Sequence, residues 1–203
     1  MNAAAQVAPA IPAIGTQYGG GFVTGIIAEN GQQYLVITAP AAFELKGKLG
    51  TYGEDIEGAR SHTDGRANTE ALAAAGSELA QQVLALDIGG FTDWAIPARD
   101  QQELQYRHFK PSDRENYASF RDGDNPSSVP PGYPYTEEFP AQTTLEAFRT
   151  GGAEAFAESW YVSSTQYSAY YAYYMDFSGG TQSHYGKDFE ARVRPVRKIL
   201  ILQ

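Results

Sequence analysis

The chain has 203 residues, a mass of 22.1 kDa and a formal net charge of −9, which argues against binding to nucleic-acid phosphates. Aromatic residues make up 13% of it, which excludes intrinsic disorder, and the lack of cysteine excludes disulfides, thiolate metal sites and a cysteine nucleophile. The length allows one domain with a sizeable core, and no apolar run approaches the ~20 residues that span a bilayer, so we expect no membrane insertion.

The N-terminal residues 1–14 are rich in alanine and proline, and we predict an extended tail that precedes a domain over 15–203. A tether, a docking strand and plain disorder are all consistent with this tail. Two β-prone runs follow, Phe22 to Ile27 and Tyr34 to Thr38, with Asn30-Gly31 between them. Because Asn-Gly is the strongest short signal for a tight turn between strands, we predict a β-hairpin here.

A first helix is predicted from Asn68 onwards. Four apolar residues fall on one face at helical spacing: Leu72, Leu79, Val83 and Leu86. Asn68 or Thr69 is predicted to cap the helix, and Gly89-Gly90 to end it.

The next segment, Phe91 to Pro97, is apolar and ends at a proline, and we predict a short strand. A second helix is predicted to follow it and to end near Phe109. Asp100 and Glu103 lie close to its N-terminus, where the helix dipole favours negative charge.

Residues 111–142 contain six of the 11 prolines and are predicted to form a long loop with a functional or interface role. Thr143-Thr144-Leu145-Glu146 fits a capping box, so we expect a short helix over 145–149. The chain ends in a basic and then apolar segment, 192–201, which is predicted to be a terminal strand. The order of these elements indicates one mixed α+β domain.

Half of the 14 tyrosines lie between Trp160 and Tyr185, interleaved with Ser, Ala and Gly. Tyrosine combines a large contact area, few rotatable bonds and a hydroxyl group, so this composition is typical of a binding surface. The alternative is a tyrosine-rich sheet packed inside the domain. A strand alternates its faces, so one member of each pair, Tyr170-Tyr171 and Tyr173-Tyr174, should point outward, which favours the binding surface.

Residue types that carry catalysis or bind metals form no recognised pattern. The three histidines lack the spacing of metal ligands: His62, His108 and His184. Glu137-Glu138 and Asp176 are the only carboxylates that we consider for a glycosidase pair. Asp122-Gly123-Asp124-Asn125 resembles part of a calcium loop but lacks the downstream bidentate Glu. We therefore expect no enzymatic activity, no cofactor and no metal site.

Five segments occur in a characteristic order: Gly19–Val23, Gly90–Leu104, Trp160–Tyr167, Phe177–Gly180 and Arg192–Arg197. The segment Gly90–Leu104 is similar to a G-[YF]-x-D-W-x-[LI]-P-[ST]-[KR]-x-E-L block. Together the five resemble the C-type-lectin-like domains of the formylglycine-generating-enzyme-like branch, which includes the C-terminal domain of the Legionella collagen-like adhesin and many phage tail proteins. The resemblance implies a single α+β domain in which short helices surround a small, mostly antiparallel sheet with long loops.

In several phage proteins of this kind, a hypervariable ligand-binding face follows the segment that corresponds to Ser163-Ser164-Thr165 here. The resemblance therefore implies a face between Tyr167 and Phe189 that displays ten ligand-binding residues: Tyr170, Tyr171, Tyr174, Asp176, Ser178, Ser183, His184, Tyr185, Asp188 and Phe189. It implies a framework role for seven others: Trp160, Ser163, Ser164, Phe177, Arg192, Val193 and Arg194.

The chain also departs from the pattern of that branch. The enzymes need a copper-binding cysteine pair, which is absent, and the iron-dependent sulfoxide synthases need a three-histidine set whose spacing does not occur. The E-P-N, Q-P-D and W-N-D motifs of calcium-dependent sugar-binding lectins do not occur either. Ala98 stands where a Ser or Thr usually caps the second helix, an exchange that costs about 1 kcal/mol unless another acceptor substitutes.

The motifs and the tyrosine composition together predict a non-enzymatic phage virion protein, located in a tail tip or fibre, that binds a bacterial surface receptor, either a glycan or a protein. Other tail or fibre proteins and further copies of the chain, as a homo-oligomer, are the expected partners, with 1–14 and 111–142 serving attachment. One alternative is a structural or decoration protein of the virion whose tyrosines pack on neighbouring proteins. A weaker alternative is an enzyme that acts on surface glycans through Asp176 or Glu138.

Overall fold

Four strands, three α-helices and five further strands follow one another in the residues that the computed structural model describes, 11–119 and 121–202. The strands are β1 (Gln17–Tyr18), β2 (Gly21–Glu29), β3 (Gln32–Thr38), β4 (Leu45–Lys48), β5 (Trp160–Gln166), β6 (Tyr171–Asp176), β7 (Gln182–Gly186), β8 (Glu190–Val193) and β9 (Val196–Leu200). The helices are α1 (Gly65–Ala74), α2 (Glu78–Leu84) and α3 (Arg99–Phe109). None of these helices has the length and apolar character needed to cross a membrane. Most of the predicted tail, 1–10, lies outside the described residues.

The strands form two sheets, and the predicted hairpin, β2 and β3, lies at the centre of the first. That sheet has the order β1-β2-β3-β9, and the other sheet has the order β4-β8-β5-β6-β7. All pairs are antiparallel except β5 with β8, so the predicted α+β class is confirmed. The structure has two sheets where one small sheet was expected. The C-terminal strand β9 pairs with β3, with Leu200 opposite Tyr34, so it joins the first sheet, and the tyrosine-rich strands β5, β6 and β7 lie in the second.

The single helix predicted from Asn68 is divided into α1 and α2. Gly76 has a φ of +92°, a conformation that favours glycine and cannot continue a helix, and the Ser77 hydroxyl caps α2 by accepting from the Ala80 N–H at 3.2 Å. The predicted N-cap is also wrong, because α1 starts earlier and Asp64 caps it. The predicted end at Gly89-Gly90 is wrong as well, since α2 ends at Leu84.

The helix predicted up to Phe109 is present as α3, and neighbouring groups replace the missing cap at Ala98. The Arg99 N–H donates to the Thr165 hydroxyl at 2.9 Å, and the Asp100 N–H donates to the His62 carbonyl at 3.0 Å. Acceptors from distant segments therefore satisfy the first N–H groups of the helix, which offsets the cost of alanine at this position.

The segment 91–97 is not a strand, contrary to the prediction. It forms two isolated bridges, Phe91 with Ile88 and Ala95 with Val196. Between them Trp94 is fully buried, and its indole N–H donates to the Phe91 carbonyl at 2.9 Å. The backbone therefore folds around the Trp94 ring instead of running along a neighbouring strand.

The proline-rich loop 111–142, described at every position except 120, packs against α3. Glu103 on α3 is fully buried and accepts hydrogen bonds from Arg107 Nε at 2.7 Å, Asn125 Nδ2 at 2.7 Å and the Tyr135 hydroxyl at 2.8 Å. Burial raises the pKa of Glu103, while these donors favour its charged form. The loop is thus anchored by a buried polar network as well as by apolar packing.

After the loop, the short helix predicted over 145–149 is reduced to one 3-10 turn, Glu146–Phe148. Phe148 is almost fully buried, and its ring stacks on Phe109 with a centroid distance of 4.0 Å. The turn therefore packs the segment after the loop against the end of α3.

Two large clusters of buried side chains make up most of the core. The first joins α1 and α2 to both sheets through aliphatic residues that include Val23, Leu72, Val83 and Val162. The second is mainly aromatic and lies around α3: Phe22, Tyr106, Phe109, Tyr135, Phe148, Phe156, Tyr161, Met175 and Phe177. The strands β5 and β6 contribute to both clusters, which leaves the edge strand β7 as the exposed side of the second sheet.

Candidate functional site

Seven aromatic rings form a continuous row along the exposed edge of the second sheet. In order they are Tyr170, Tyr52, Tyr171, His184, Tyr167, Tyr173 and His62, and neighbouring ring centroids lie 4.4 to 6.2 Å apart. The rings of Tyr167 and His184 are stacked at 4.4 Å. All seven are exposed except Tyr173, which is half-buried. We call this set the aromatic row.

The aromatic row follows from the alternation of side chains along β6. Tyr171 and Tyr173 point to one side of the strand, while Ala172 and Tyr174 face the core and are 0% and 1% exposed. His184 on β7 lies directly opposite Tyr173, and directly opposed residues share a face of the sheet. The three rings on this side of the two strands therefore come together.

A tight turn between β5 and β6 presents two further rings. The Ser168 hydroxyl accepts from the backbone N–H groups of Tyr170 and Tyr171, both at 3.2 Å. The Tyr167 N–H donates to the Tyr171 carbonyl at 2.9 Å. A serine that bonds its neighbours' backbone is typical of turns, and here it holds Tyr167 and Tyr170 at the end of the hairpin.

Tyr52 comes from a distant loop, which a buried lysine holds against the sheet. Lys187 is fully buried, and its Nζ donates to the Glu54 carbonyl and, at 2.8 Å, to Gln166 Oε1. Burial lowers the pKa of Lys187. The lysine thus joins the loop that carries Tyr52 to the strands that carry the other rings.

One end of the aromatic row borders a groove of about 670 Å³, within the usual range of ligand sites, ~300–1,000 Å³. The rings of Tyr167, Tyr173 and His184 line one side of it. The first turn of α3 also lines the groove, and six described residues of the proline-rich loop contribute to the opposite side: Ser119, Arg121, Asp122, Asp124, Pro126 and Ser127.

Gln182 at the start of β7 joins the three elements around the groove. Its backbone N–H donates to Asp122 Oδ1 at 2.9 Å. Its side-chain oxygen accepts from the Gly123 N–H at 3.0 Å and from Arg99 Nη2 at 3.3 Å. Gln182 therefore links the edge strand to both the loop and α3, which the Glu103 network already holds together.

The charges that line the groove are mostly paired with one another. Arg99 Nη1 lies 2.8 Å from Asp100 Oδ1, and Arg121 Nη2 lies 2.8 Å from Asp124 Oδ2. Asp122 is the remaining carboxyl group; its Oδ2 is shielded from solvent and has no hydrogen-bond partner among the described residues, and burial raises its pKa. The groove thus offers many hydrogen-bonding groups with little unbalanced charge.

Two rings at the groove end of the row have shifted pKa values. Burial lowers the pKa of His62 from 6.5 and raises the pKa of Tyr173 from 10.0. Both shifts favour the uncharged form. The groove end of the aromatic row therefore presents two neutral rings at neutral pH.

The structure brings together four of the ten predicted ligand-binding residues. Tyr170, Tyr171 and His184 belong to the aromatic row, and Ser183 lines the groove beside it. These four lie on β6, β7 and the turn that precedes β6, the part of the chain that sequence analysis selected.

Two other predicted positions, Tyr185 and Phe189, form a separate cluster. Tyr185 lies opposite Ala172 and therefore on the other side of β7 from His184. Its ring centroid is 5.7 Å from that of Phe189 and 4.8 Å from that of Trp160. The face predicted as one surface is thus two aromatic groups on opposite sides of the edge strand. Asp188 is exposed.

Tyr174 does not occupy a display position, contrary to the prediction. It is 1% exposed, and its hydroxyl donates to the carbonyls of Gly186 at 2.9 Å and Phe189 at 3.3 Å. Asp176 is also buried, and its carboxylate accepts from the Ser178 N–H at 2.9 Å and the Ser178 hydroxyl at 2.6 Å. These side chains stabilise the hairpin and the turn that connects β6 to β7.

Sequence reasoning missed several residues around the site, among them Tyr52, His62 and Arg99. Each belongs to a segment far from β6 in sequence, so periodicity and composition near the tyrosines give no sign of the contact. The unusual length of the proline-rich segment 111–142 was the one signal that pointed to the opposite side of the groove.

Among the described residues, no group of three or more His, Cys, Asp or Glu side chains is arranged to hold a metal ion. No family model matches the chain, and no curated protein or solved structure matches it. The exposed rings and the adjoining polar groove can hold a ligand by stacking and by hydrogen bonding.

Proposed function

We propose that this chain is a binding domain that contacts a bacterial surface receptor through the aromatic row. The proposal includes its setting in a phage virion, at a tail tip or fibre, and a non-enzymatic role. The observation that carries it is the continuity of seven rings, from Tyr170 to His62, six of which are exposed.

The physical argument concerns the cost of leaving so many rings in water. Large contiguous apolar patches on a protein surface usually mark interaction sites. Tyrosine is suited to such a site because its ring buries a large area while only two side-chain torsions become fixed. Ser168, Lys187 and the β6–β7 pairing hold the rings in place before a ligand arrives, which lowers the entropy lost on binding.

The phage setting is supported by the order of the five sequence segments that resemble phage tail proteins. In that resemblance seven residues have framework roles. Five of them are buried, Ser163, Ser164, Phe177, Val193 and Arg194, and two are half-buried, Trp160 and Arg192. The long loop 111–142 and the N-terminal tail are the proposed contacts to other tail or fibre proteins.

The first test is a binding assay with intact candidate host cells. We expect the double variant Tyr170→Ala/Tyr171→Ala to bind at least about tenfold more weakly than the unmodified chain, since aromatic residues at the centre of an interface carry much of its free energy. Labelled purified chain is titrated onto the cells, and the saturable fraction is measured by flow cytometry.

A matched control replaces two exposed tyrosines elsewhere, Tyr18 and Tyr133, which are 47% and 78% exposed. The Tyr18→Ala/Tyr133→Ala variant should bind host cells as the unmodified chain does. Equal binding by both double variants, or no saturable binding to any host, would contradict the proposal. If no host binds the chain, chemical modification of its tyrosines can be compared between the assembled virion and the free chain. Protection from modification in the virion alone would support a decoration role instead.

A further inference from the structure

We propose that the groove at the end of the aromatic row binds a neutral carbohydrate segment, without a metal ion. The inference rests on the proposed function and names the chemistry of the receptor: a surface glycan whose sugar rings lie against Tyr167 and Tyr173 and whose hydroxyl groups bond to the polar groups of the opposite side.

The first argument is the balance of charge in the groove. Its two arginines are each paired with an aspartate at 2.8 Å, Arg99 with Asp100 and Arg121 with Asp124. An acidic ligand would have to break one of these pairs to obtain a counter-charge, and it would also approach a chain of net charge −9. In the described part of the groove, a basic ligand would find only one carboxyl group outside these pairs, that of Asp122, which is buried. A neutral ligand avoids these costs.

The second argument is the kind of atoms that the groove presents. Its apolar surface is mainly aromatic: no Leu, Ile, Val, Met or Phe is among the described lining residues. A peptide anchored by an aliphatic side chain would therefore find no matching pocket. A sugar ring has an apolar C–H face, which fits against Tyr167 or Tyr173, and a rim of hydroxyl groups.

The third argument is the supply of hydrogen-bonding partners for that rim. Hydroxyl groups of Ser119, Ser127, Thr181 and Ser183 line the groove together with the amide of Gln182. Hydroxyl groups both donate and accept, so each of these serines and the threonine can pair with a sugar hydroxyl in either direction. The Gln182 amide can donate through its NH2 group, since its oxygen already accepts from Gly123 and Arg99. Neutral groups of this kind also lose less on desolvation than ions do.

The position of the groove relative to the row adds a constraint on length. Tyr167, Tyr173, His184 and His62 belong to both the row and the groove lining. A chain of several sugar units that starts in the groove therefore continues over His184 and Tyr171 towards Tyr52. This geometry fits an extended polysaccharide better than a single small sugar.

The experiment uses host cells that bind the unmodified chain and treats them in two ways. Periodate cleaves vicinal diols and so destroys most glycans, whereas proteinase K removes surface proteins. We expect periodate to reduce saturable binding at least about tenfold, proteinase K to leave it within about twofold, and EDTA to leave it unchanged. Loss after proteinase K but not after periodate would overturn the glycan inference while the proposed receptor-binding function stands.

Variants of Tyr167 place the ligand at the groove. Tyr167 is 48% exposed, so Tyr167→Ala should fold normally, and we expect it to bind the cells about tenfold more weakly. Tyr167→Phe keeps the stacking ring and should bind within about threefold of the unmodified chain. Tyr185→Ala removes an exposed ring from the other side of β7 and should have no effect. Unchanged binding by Tyr167→Ala, with its fold confirmed by circular dichroism, would overturn the placement.

A competition assay with soluble polysaccharides purified from the same host is the last part of the experiment. A neutral polysaccharide should compete with the cells for the chain, and an acidic one should not. Competition by the acidic polymer alone would contradict the argument from paired charges. If no host binds the chain at all, the proposed function itself fails, an outcome distinct from each of these.

Discussion

At the scale of the residue, the side chains that hold the site together are buried and polar. Glu103 and Lys187 are each 0% exposed, and each makes several hydrogen bonds to groups from distant segments. A hydrophobic pattern assigns such residues to the surface. Their burial was therefore not predictable from the sequence, because it depends on partners that only the folded chain supplies.

One titratable residue on α3 gives a prediction about pH. Burial lowers the pKa of His108 from 6.5 to about 4, and the positive charge of Arg107 adds to the shift. Because the unfolded chain binds this proton more readily than the folded chain does, the stability that is present above pH 6.5 is lost as the pH falls towards 4. We expect this effect of His108 to lower the free energy of unfolding by up to about 3 kcal/mol at pH 4, compared with its value above pH 6.5.

The measurement is urea denaturation of the unmodified chain and of His108→Gln between pH 4 and pH 7. The difference in unfolding free energy between the two should grow in favour of the glutamine variant as the pH falls below 6.5. A constant difference across this range, or an NMR titration of His108 centred near its ordinary pKa, would contradict the prediction.

At the scale of the element, local signals predicted well where neighbours in sequence decide the structure. The Asn30-Gly31 hairpin and the helix ending at Phe109 are both confirmed, since a turn dipeptide and a helical period act over a few residues. The division of the predicted helix at Gly76 was missed, although the glycine and the capping Ser77 were visible in the sequence. The strand predicted over 91–97 failed because burial of Trp94 outweighed its β-propensity.

The two sides of β6 lead to a prediction about stability. Tyr174→Ala should lower the free energy of unfolding by about 3–5 kcal/mol, because it leaves a cavity in the core and removes the hydroxyl donor to Gly186 and Phe189. Tyr171→Ala, on the exposed side of the same strand, should change it by less than about 1 kcal/mol. Chemical denaturation of both variants measures the difference, and similar losses would contradict the assignment of the two faces.

At the scale of the whole molecule, the site is assembled from four separate parts of the chain. Tyr52 arrives from the loop after β4, Arg99 from the start of α3, and loop residues such as Asp122 from the proline-rich segment. Lys187 and Gln182 are among the residues that join these parts to the tyrosine hairpin.

Replacement of Lys187 tests this assembly. Lys187→Met keeps a long apolar stem but leaves the Glu54 carbonyl without this donor and removes one of the two donors to Gln166 Oε1, so we expect a loss of about 1–3 kcal/mol in the free energy of unfolding. Lys48→Met is the matched control, since Lys48 is exposed on β4, and should be nearly neutral. Faster hydrogen exchange around Tyr52 in the Lys187 variant alone would show that the loop has been released, and equal exchange in both variants would count against this role.

The sequence by itself determined the α+β class, the first hairpin, the third helix and the location of the tyrosines, because each depends on composition or on residues a few positions apart. Only the tertiary structure decided which tyrosines are exposed, which side of β7 each ring occupies, and that a groove lies at the end of the row. These features depend on pairing between strands and on contacts across long stretches of chain. The free energy of those contacts comes from burial and hydrogen bonding of partners that no local pattern identifies.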